Sequence, residues 1–98
     1  MRVIYWGDLD SDGFAILHAL PSTCDDVTSV LMDETVLLQF RDLWVSEPRA
    51  AGGTYPTLTG SEQVALMRIR SEGNVRLEQE RIEWNYALGR LLEVATQI

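Results

Sequence analysis

The first third of the chain alternates short apolar runs with polar breaks. Residues 2–7 form an apolar run that predicts a buried strand, and residues 27–32 predict a second one. Between them, residues 13–20 predict a helix that Pro21 ends, because proline cannot continue a helix. A polar turn over residues 22–26 joins this helix to the second strand. The strand–helix–strand order favours a parallel α/β sheet.

The middle of the chain predicts two helices separated by a long loop. Asp33 is a plausible N-cap for a short helix, and Thr59 and Glu62 have the spacing of a capping box that opens a helix to about Arg70. Residues 45–60 contain two prolines and a glycine pair, which predict a loop. A loop of that length in a small domain is often functional.

The last quarter predicts one short strand and one amphipathic helix. Residues 75–82 alternate weakly between apolar and charged, which predicts a short, half-exposed strand. Apolar residues then recur at helical spacing and predict one core-facing stripe: Trp84, Ala87, Leu88, Leu91, Leu92 and Ala95. About three strands and four helices are few for a doubly wound fold, so we expect that an upstream strand is missing.

Composition limits the class of protein. The chain has 98 residues, enough for one small domain, and 46% of them are hydrophobic, which is too many for a disordered segment. It has no apolar run of about 18 residues, so we expect no membrane span, and no signal peptide is visible. Cys24 is the single cysteine, which excludes an internal disulfide and fits a reducing cytoplasm; we expect it to be buried or half-buried.

The charge argues against nucleic-acid binding by the chain alone. The net charge is −7, with eight arginines and no lysine, so a broad basic face is not expected. A bound metal ion would reverse the local field, and other domains or partners would supply positive surface.

The candidate chemistry lies directly after the first strand. Asp8, Asp10 and Asp12 follow the apolar run at alternate positions, and Gly13 comes next. In an α/β protein such a strand brings its carboxylates to the carboxyl edge of the sheet, where sites form. Two carboxylates close together are costly unless a cation or a proton lies between them. The cluster therefore predicts a site for a hard divalent ion such as Mg²⁺, which prefers carboxylates, water and substrate phosphate.

Four interpretations of this cluster remain open on the residues alone. Asp8, Asp10, Asp12 and Gly13 match the start of a Ca²⁺ loop of the EF-hand type, although Ala19 stands where the last ligand should be glutamate. A phosphatase of the haloacid dehalogenase type uses a strand-end Asp-x-Asp as nucleophile and acid. A Toprim site uses such a pair to hold metal at a phosphodiester. The fourth interpretation is a solvated acidic turn that caps the following helix.

Five sequence blocks, in order, resemble the C-terminal domain of JetD, the nuclease subunit of the Wadjet bacterial defence system. They are Tyr5-Trp6-Gly7-Asp8-Leu9-Asp10, Gly13-Phe14-Ala15-Ile16-Leu17, Leu31-Met32-Asp33, Arg41-Asp42-Leu43-Trp44-Val45-Ser46-Glu47-Pro48 and Arg76-Leu77-Glu78-Gln79-Glu80-Arg81-Ile82. The resemblance spans nearly the whole chain and favours the Toprim interpretation. It implies an α/β, Toprim-like (Rossmann-like) partial parallel sheet of about three to four strands flanked by helices, related to the A subunit of topoisomerase VI and to Spo11.

The resemblance also implies a function and a site. It implies Mg²⁺-dependent cleavage of DNA, with Mn²⁺ as an alternative ion, beside the subunits of an SMC-type loop-extruding complex. Asp8 and Asp10 match the metal-binding pair and would be the catalytic residues, with a structural or supporting role for Glu78 and Glu80. Asp12 departs from the family pattern, which often has another polar residue there, and would cap the helix or support the site.

Two further expectations concern phosphate and the extent of the domain. Arg76 and Arg81 flank the two glutamates. Either they would bind phosphate, or they would form a surface ion-pair network with those glutamates. Toprim sites also use a glutamate on an earlier strand, and residues 1–7 contain no acid. We therefore expect a single Toprim-like domain over residues 1–98 without its first strand, weak or inactive alone. The competing function is a non-catalytic docking module, which would show exposed apolar surface and form a homodimer.

Overall fold

The computed structural model describes residues 2–22 and 26–97. The strands are β1 (Arg2–Tyr5), β2 (Asp26–Ser29), β3 (Val45–Ser46) and β4 (Val75–Arg76). The helices are α1 (Ser11–Ala19), α2 (Glu34–Gln39), α3 (Gly60–Ser71) and α4 (Trp84–Ala95), and single 3₁₀ turns span Leu20–Ser22, Arg41–Leu43 and Gln79–Arg81. Cys24 and most of the predicted polar turn lie outside the described residues.

The described strands form two separate pairs. Strands β1 and β2 are parallel and in register from Arg2 opposite Asp26 to Tyr5 opposite Ser29. Strands β3 and β4 are antiparallel, with Val45 opposite Arg76. The protein is therefore a mixed α/β domain, but the parallel sheet in the described part of the chain has two strands where three to four were expected.

The second predicted strand ends earlier than its apolar pattern. The β2 strand ends at Ser29, and Val30 still donates its N–H to the Tyr5 carbonyl at 2.9 Å. The backbone then turns at Leu31, whose φ of 61° lies in the left-handed region. Val30, Leu31 and Met32 are all buried. The apolar run over these three residues therefore reflects a buried turn and not a longer strand.

The predicted strand over residues 75–82 is also mostly replaced by other structure. Only Val75–Arg76 is strand, and Leu77 then forms an antiparallel bridge with Leu9 through N–H···O bonds of 2.9 and 3.0 Å. The next residues, Gln79–Arg81, form a 3₁₀ turn. The predicted loop over residues 45–60 begins with β3 and is anchored by buried Tyr55 and Leu58.

The helices match their sequence signals more closely. Asp33 caps α2 by accepting from the Val36 N–H at 2.9 Å, and Thr59 with Glu62 forms the predicted capping box of α3. Helix α1 begins at Ser11, two residues before the predicted start, because Asp10 is its cap. No helix in residues 2–22 and 26–97 is long and apolar enough to cross a membrane.

The apolar stripe predicted for α4 is only partly buried. Ala87 is buried, and Leu91 is half-buried and packs against the core, so this side of α4 faces inward. Trp84 and Leu92 are exposed by 59% and 56%. Phe14 of α1 is fully buried and belongs to one hydrophobic core cluster that also includes Leu9, Val36, Ile69 and Leu77.

Candidate functional site

The candidate site lies where the chain leaves β1 and enters α1. Asp8 follows the strand by three residues and accepts the Gln79 N–H on one carboxylate oxygen, Oδ1, at 2.7 Å. No donor among the described residues bonds the other oxygen of Asp8. The Gln79 contact fixes Asp8 against the 3₁₀ turn that replaces the predicted third strand, and leaves one carboxylate oxygen available.

Asp10 has both carboxylate oxygens engaged. It is only 2% exposed and is the N-cap of α1, where its Oδ1 accepts the Gly13 N–H at 2.6 Å. Its Oδ2 accepts from Nε of Arg76 at 2.6 Å. The interpretation of the cluster as a helix cap is therefore confirmed for Asp10, but a cap alone does not explain the bound arginine.

Arg76 joins Asp10 to a third carboxylate that the sequence analysis missed. Its Nη2 pairs with Oε2 of Glu47, which is 9% exposed, while Oε1 of Glu47 accepts the Arg49 N–H at 3.1 Å. Glu47 reaches Arg76 because β3 pairs with β4, and its own N–H bonds the Asn74 carbonyl at 2.9 Å. The only sequence signal was an acid beside the two-residue run Val45-Ser46, which is too short to suggest a strand.

Tyr5 closes the other side of this region. Its hydroxyl donates to the Gly13 carbonyl at 2.9 Å. Burial raises the pKa of the Tyr5 phenol above its ordinary value of 10.0, and the negative charges of Asp10 and Asp8 raise it further. The phenol therefore stays neutral and acts as a hydrogen-bond donor at neutral pH.

Two glycines allow these groups to approach one another. A β-carbon on Gly7 would lie 2.4 Å from the Tyr5 hydroxyl oxygen, and one on Gly13 would lie 2.1 Å from the Asp8 carbonyl oxygen. Both separations are too short for any side chain to be accommodated without a shift. At Gly13 the obstacle is backbone, so the close approach requires glycine there, whereas at Gly7 the obstacle is the end of the Tyr5 side chain.

These residues surround an open cleft of about 350 Å³. It is lined by Tyr5, Gly7, Asp8, Asp10, Asp12, Gly13, Ile16, Arg76 and Gln79. Asp12 is exposed at the start of α1. The cleft thus combines carboxylates, one guanidinium and one phenol, which are groups that hold a cation and a phosphate.

The other predicted site residues lie elsewhere in the described structure. Glu78 pairs with Arg81, with its Oε2 3.6 Å from the arginine Nε, and neither lines the aspartate cleft. Glu80 lines a separate hollow beside Trp6 and Trp84. Of the expected ion pairs with these glutamates, the described structure contains only that between Glu78 and Arg81, whereas Arg76 pairs with Asp10 and Glu47.

The donor set fits a hard cation only in part. Carboxylate oxygens are the right ligands for Mg²⁺, which takes one or two of them together with water and phosphate. In residues 2–22 and 26–97, however, no three His, Cys, Asp or Glu side chains stand together as a metal-binding group. Asp8 can offer a free oxygen, while each oxygen of Asp10 already accepts one hydrogen bond, from the Gly13 N–H and from Arg76.

The Ca²⁺ interpretation of the cluster fails on backbone geometry. An EF-hand loop that began at Asp8 would continue to Ala19 in a loop conformation. Helix α1 instead begins at Ser11 and occupies the rest of that segment, and a strand precedes it. The ligand positions of an EF-hand are therefore not formed.

Comparison with known protein families identifies the family of this chain. Residues 1–91 match the family described as Wadjet protein JetD, C-terminal. The chain belongs to this JetD C-terminal family. Every residue that lines the aspartate cleft, and Glu47 as well, falls inside the matched segment. No curated protein matches the chain. The features described above are therefore those of a JetD C-terminal domain.

Proposed function

We propose that this JetD C-terminal domain carries a Toprim-type, metal-dependent site that cleaves DNA phosphodiester bonds within the full-length protein. The observation that carries the proposal is the cleft after β1, where Asp8 and Asp10 lie with the guanidinium of Arg76, which is 66 positions from Asp10 along the chain. Acids at the carboxyl end of a parallel strand are in the position where α/β proteins bind their ligands.

Each residue of the cleft has a defined task in this proposal. Asp8 and Asp10 would hold Mg²⁺, or Mn²⁺, and the ion would supply the charge that stabilises phosphodiester hydrolysis. Arg76 offers a planar fork of donors that matches the oxygens of a phosphate. Tyr5 remains protonated beside the two acids and holds the start of α1 through the Gly13 carbonyl.

In this proposal, DNA binding at the cleft requires basic surface from elsewhere in the protein. The chain carries a net charge of −7, so it does not provide the basic surface that DNA binding needs. We propose that the rest of the JetD protein, acting in the cytoplasm beside an SMC-type complex, provides that surface. The 98-residue chain by itself would then bind metal weakly and cleave DNA poorly.

The proposal is tested first by metal binding. Mn²⁺ and Mg²⁺ are titrated calorimetrically into the parent chain and into the Asp8→Asn/Asp10→Asn double variant. Asparagine keeps the oxygen acceptors for Gln79 and Gly13, so the backbone contacts remain. The matched control is Asp12→Asn, which removes the charge of an exposed residue on the same cleft.

We expect the parent chain and the control to bind Mn²⁺ and the double variant to lose binding. The same substitutions in a full-length JetD protein should abolish Mg²⁺-dependent cleavage of closed circular plasmid, while the Asp12 control retains it. Equal cleavage by the double variant would show that these two aspartates do not form the nuclease site.

A second candidate, a docking module without catalysis, is favoured by one observation. Trp84 and Leu92 are exposed on α4, and the half-buried Leu88 lies between them on the same helical face. Large apolar side chains in a row on the surface are typical of a protein interface. Light scattering of the parent chain and of Leu92→Glu tests for a homodimer; a monomeric parent would contradict self-association through this face.

A further inference from the structure

The Arg76 guanidinium lies between two carboxylates that are almost completely buried. Its Nε donates to Asp10 at 2.6 Å and its Nη2 pairs with Glu47. Asp10 is 2% exposed and Glu47 is 9% exposed, whereas the Arg76 side chain is 29% exposed. Arginine stays charged at every physiological pH, so this arrangement, which we name the Arg76 clamp, is a permanent cation beside Asp10.

The clamp and a bound metal ion would compete for the same carboxylate. Asp10 has one oxygen on the Gly13 N–H and the other on Arg76, so a divalent ion at Asp8 and Asp10 would lie next to the guanidinium. Two positive charges in contact repel strongly, most of all where water is excluded. Arg76 and the ion therefore cannot both make close contact with Asp10 at full strength.

The geometry allows Arg76 to leave Asp10 and still remain at the cleft. The Nη2 edge of Arg76 faces Glu47, which is itself fixed by the Arg49 N–H and by backbone pairing to Asn74. If the Nε edge left Asp10, Glu47 would still hold the side chain at the cleft. The released edge would then present a donor to an anion that entered together with the metal ion, and the guanidinium fork suits a phosphate oxygen.

We propose that Arg76 is an exchangeable counter-ion of this site, with Glu47 as the residue that positions it. This inference rests on the proposed function: without metal, Arg76 neutralises Asp10; with metal and DNA, it turns to the phosphate. Metal and phosphate then bind cooperatively, because each favours the position of Arg76 that the other needs. A cation that arrives without a phosphodiester therefore binds more weakly than one that arrives with it.

The first test compares the Mn²⁺ affinity of the parent chain with that of Arg76→Gln, without phosphate, by water-proton relaxation. Removing the competing charge should tighten Mn²⁺ binding about tenfold, the size of effect that a contacting charge has on a carboxylate equilibrium. The matched control is Arg81→Gln, which removes the same charge from an exposed site that does not line the cleft. At about 0.3 M salt, where surface charges are screened, the control should be unchanged.

The second test measures cooperativity with a thymidine dinucleotide as the phosphodiester probe. The dinucleotide should increase the Mn²⁺ affinity of the parent chain and should have little effect in Arg76→Gln. Glu47→Gln keeps the arginine but loses its anchor, so the increase should be smaller than in the parent. An equal increase in all three chains would overturn the role of Arg76.

A third measurement needs no folded variant of Arg76. Arginine Nε–H signals are followed by NMR while Mg²⁺ and the dinucleotide are added to the parent chain and to Asp8→Asn. The Arg76 signal should shift in the parent, because its bond to Asp10 is replaced, and should stay in place in Asp8→Asn. A static Arg76 signal in a parent chain that binds Mg²⁺ would contradict the exchange.

The outcomes separate this inference from the proposed function. If no chain binds Mn²⁺ through Asp8 or Asp10, with or without the dinucleotide, the proposed metal site is wrong and the inference fails with it. If the parent binds Mn²⁺ through Asp8, but Arg76→Gln binds it equally or more weakly, the metal site stands. In that case only the exchange role of Arg76 is overturned.

Discussion

The carbonyl oxygen of Asp8 lies 2.1 Å from the position that a β-carbon on Gly13 would occupy. The same glycine donates its N–H to Asp10 and its carbonyl accepts from Tyr5. The first turn of α1 therefore packs directly against the backbone of the strand-end loop. The position of both aspartates depends on the absence of a side chain at Gly13.

We expect Gly13→Ala to destabilise the domain by about 2–4 kcal/mol, because the added methyl group collides with backbone that cannot move alone. The measurement is urea unfolding followed by circular dichroism. The control is Gly89→Ala in the middle of α4, where an added β-carbon meets nothing within 4 Å. It should stabilise the protein by roughly 0.5–1 kcal/mol through helix propensity. A Gly13→Ala protein as stable as the parent would show that the backbone at Asp8 can shift to accommodate the methyl group.

The two roles of Asp10 can be separated by substitution. Asp10→Asn keeps an oxygen for the Gly13 N–H but loses the charge that faces Arg76, whereas Asp10→Ala loses both. We expect the alanine variant to be less stable than the asparagine variant by about 1 kcal/mol, the usual value of an N-cap. The control is Thr59→Ala, which removes a cap with no ion pair. Equal unfolding midpoints for both Asp10 variants would contradict a capping role.

The helical parts of the fold could be predicted because their signals are local. The capping residues Asp33, Thr59 and Glu62 each act within three positions along the chain, so the sequence shows both the donor and the acceptor. The start of β1 and the aspartates after it were predictable for the same reason. The position of the Asp8–Asp10 loop can be predicted from the apolar run of β1 and the acids that follow it.

The partners of the aspartates could not be predicted in this way. Arg76 is 66 positions from Asp10, and Glu47 reaches it only through the two-residue pair of β3 and β4. Strands of that length leave no periodicity in the sequence. The extent of the predicted third strand was wrong for a related reason: the Gln79 N–H bonds the Asp8 carboxylate, which favours a 3₁₀ turn over further pairing.

The two arginines that flank the Glu78–Glu80 block should contribute differently to stability. Arg76→Ala leaves Asp10 and Glu47 buried without their cation, and we expect a loss of about 2–4 kcal/mol. Arg81 is 53% exposed with one long ion pair, so Arg81→Ala should change stability by less than about 0.5 kcal/mol. Chemical denaturation of both variants checks this. Similar losses for the two would mean that the Arg76 clamp adds nothing beyond a surface pair.

The raised pKa of Tyr5 makes stability depend on alkaline pH. Burial, then Asp10 and Asp8, hold the phenol protonated above its ordinary value of 10.0, whereas the unfolded chain ionises near that value. Above pH 10 the folded state therefore binds more protons than the unfolded state, and the free energy of unfolding falls as pH rises toward the folded pKa.

Tyr5→Phe should abolish this fall, and at neutral pH it should cost about 1 kcal/mol for the lost bond to the Gly13 carbonyl. Unfolding measured across the alkaline range, with Tyr86→Phe as the control, tests the expectation; a parallel fall in the Tyr5→Phe protein would assign the dependence to other groups.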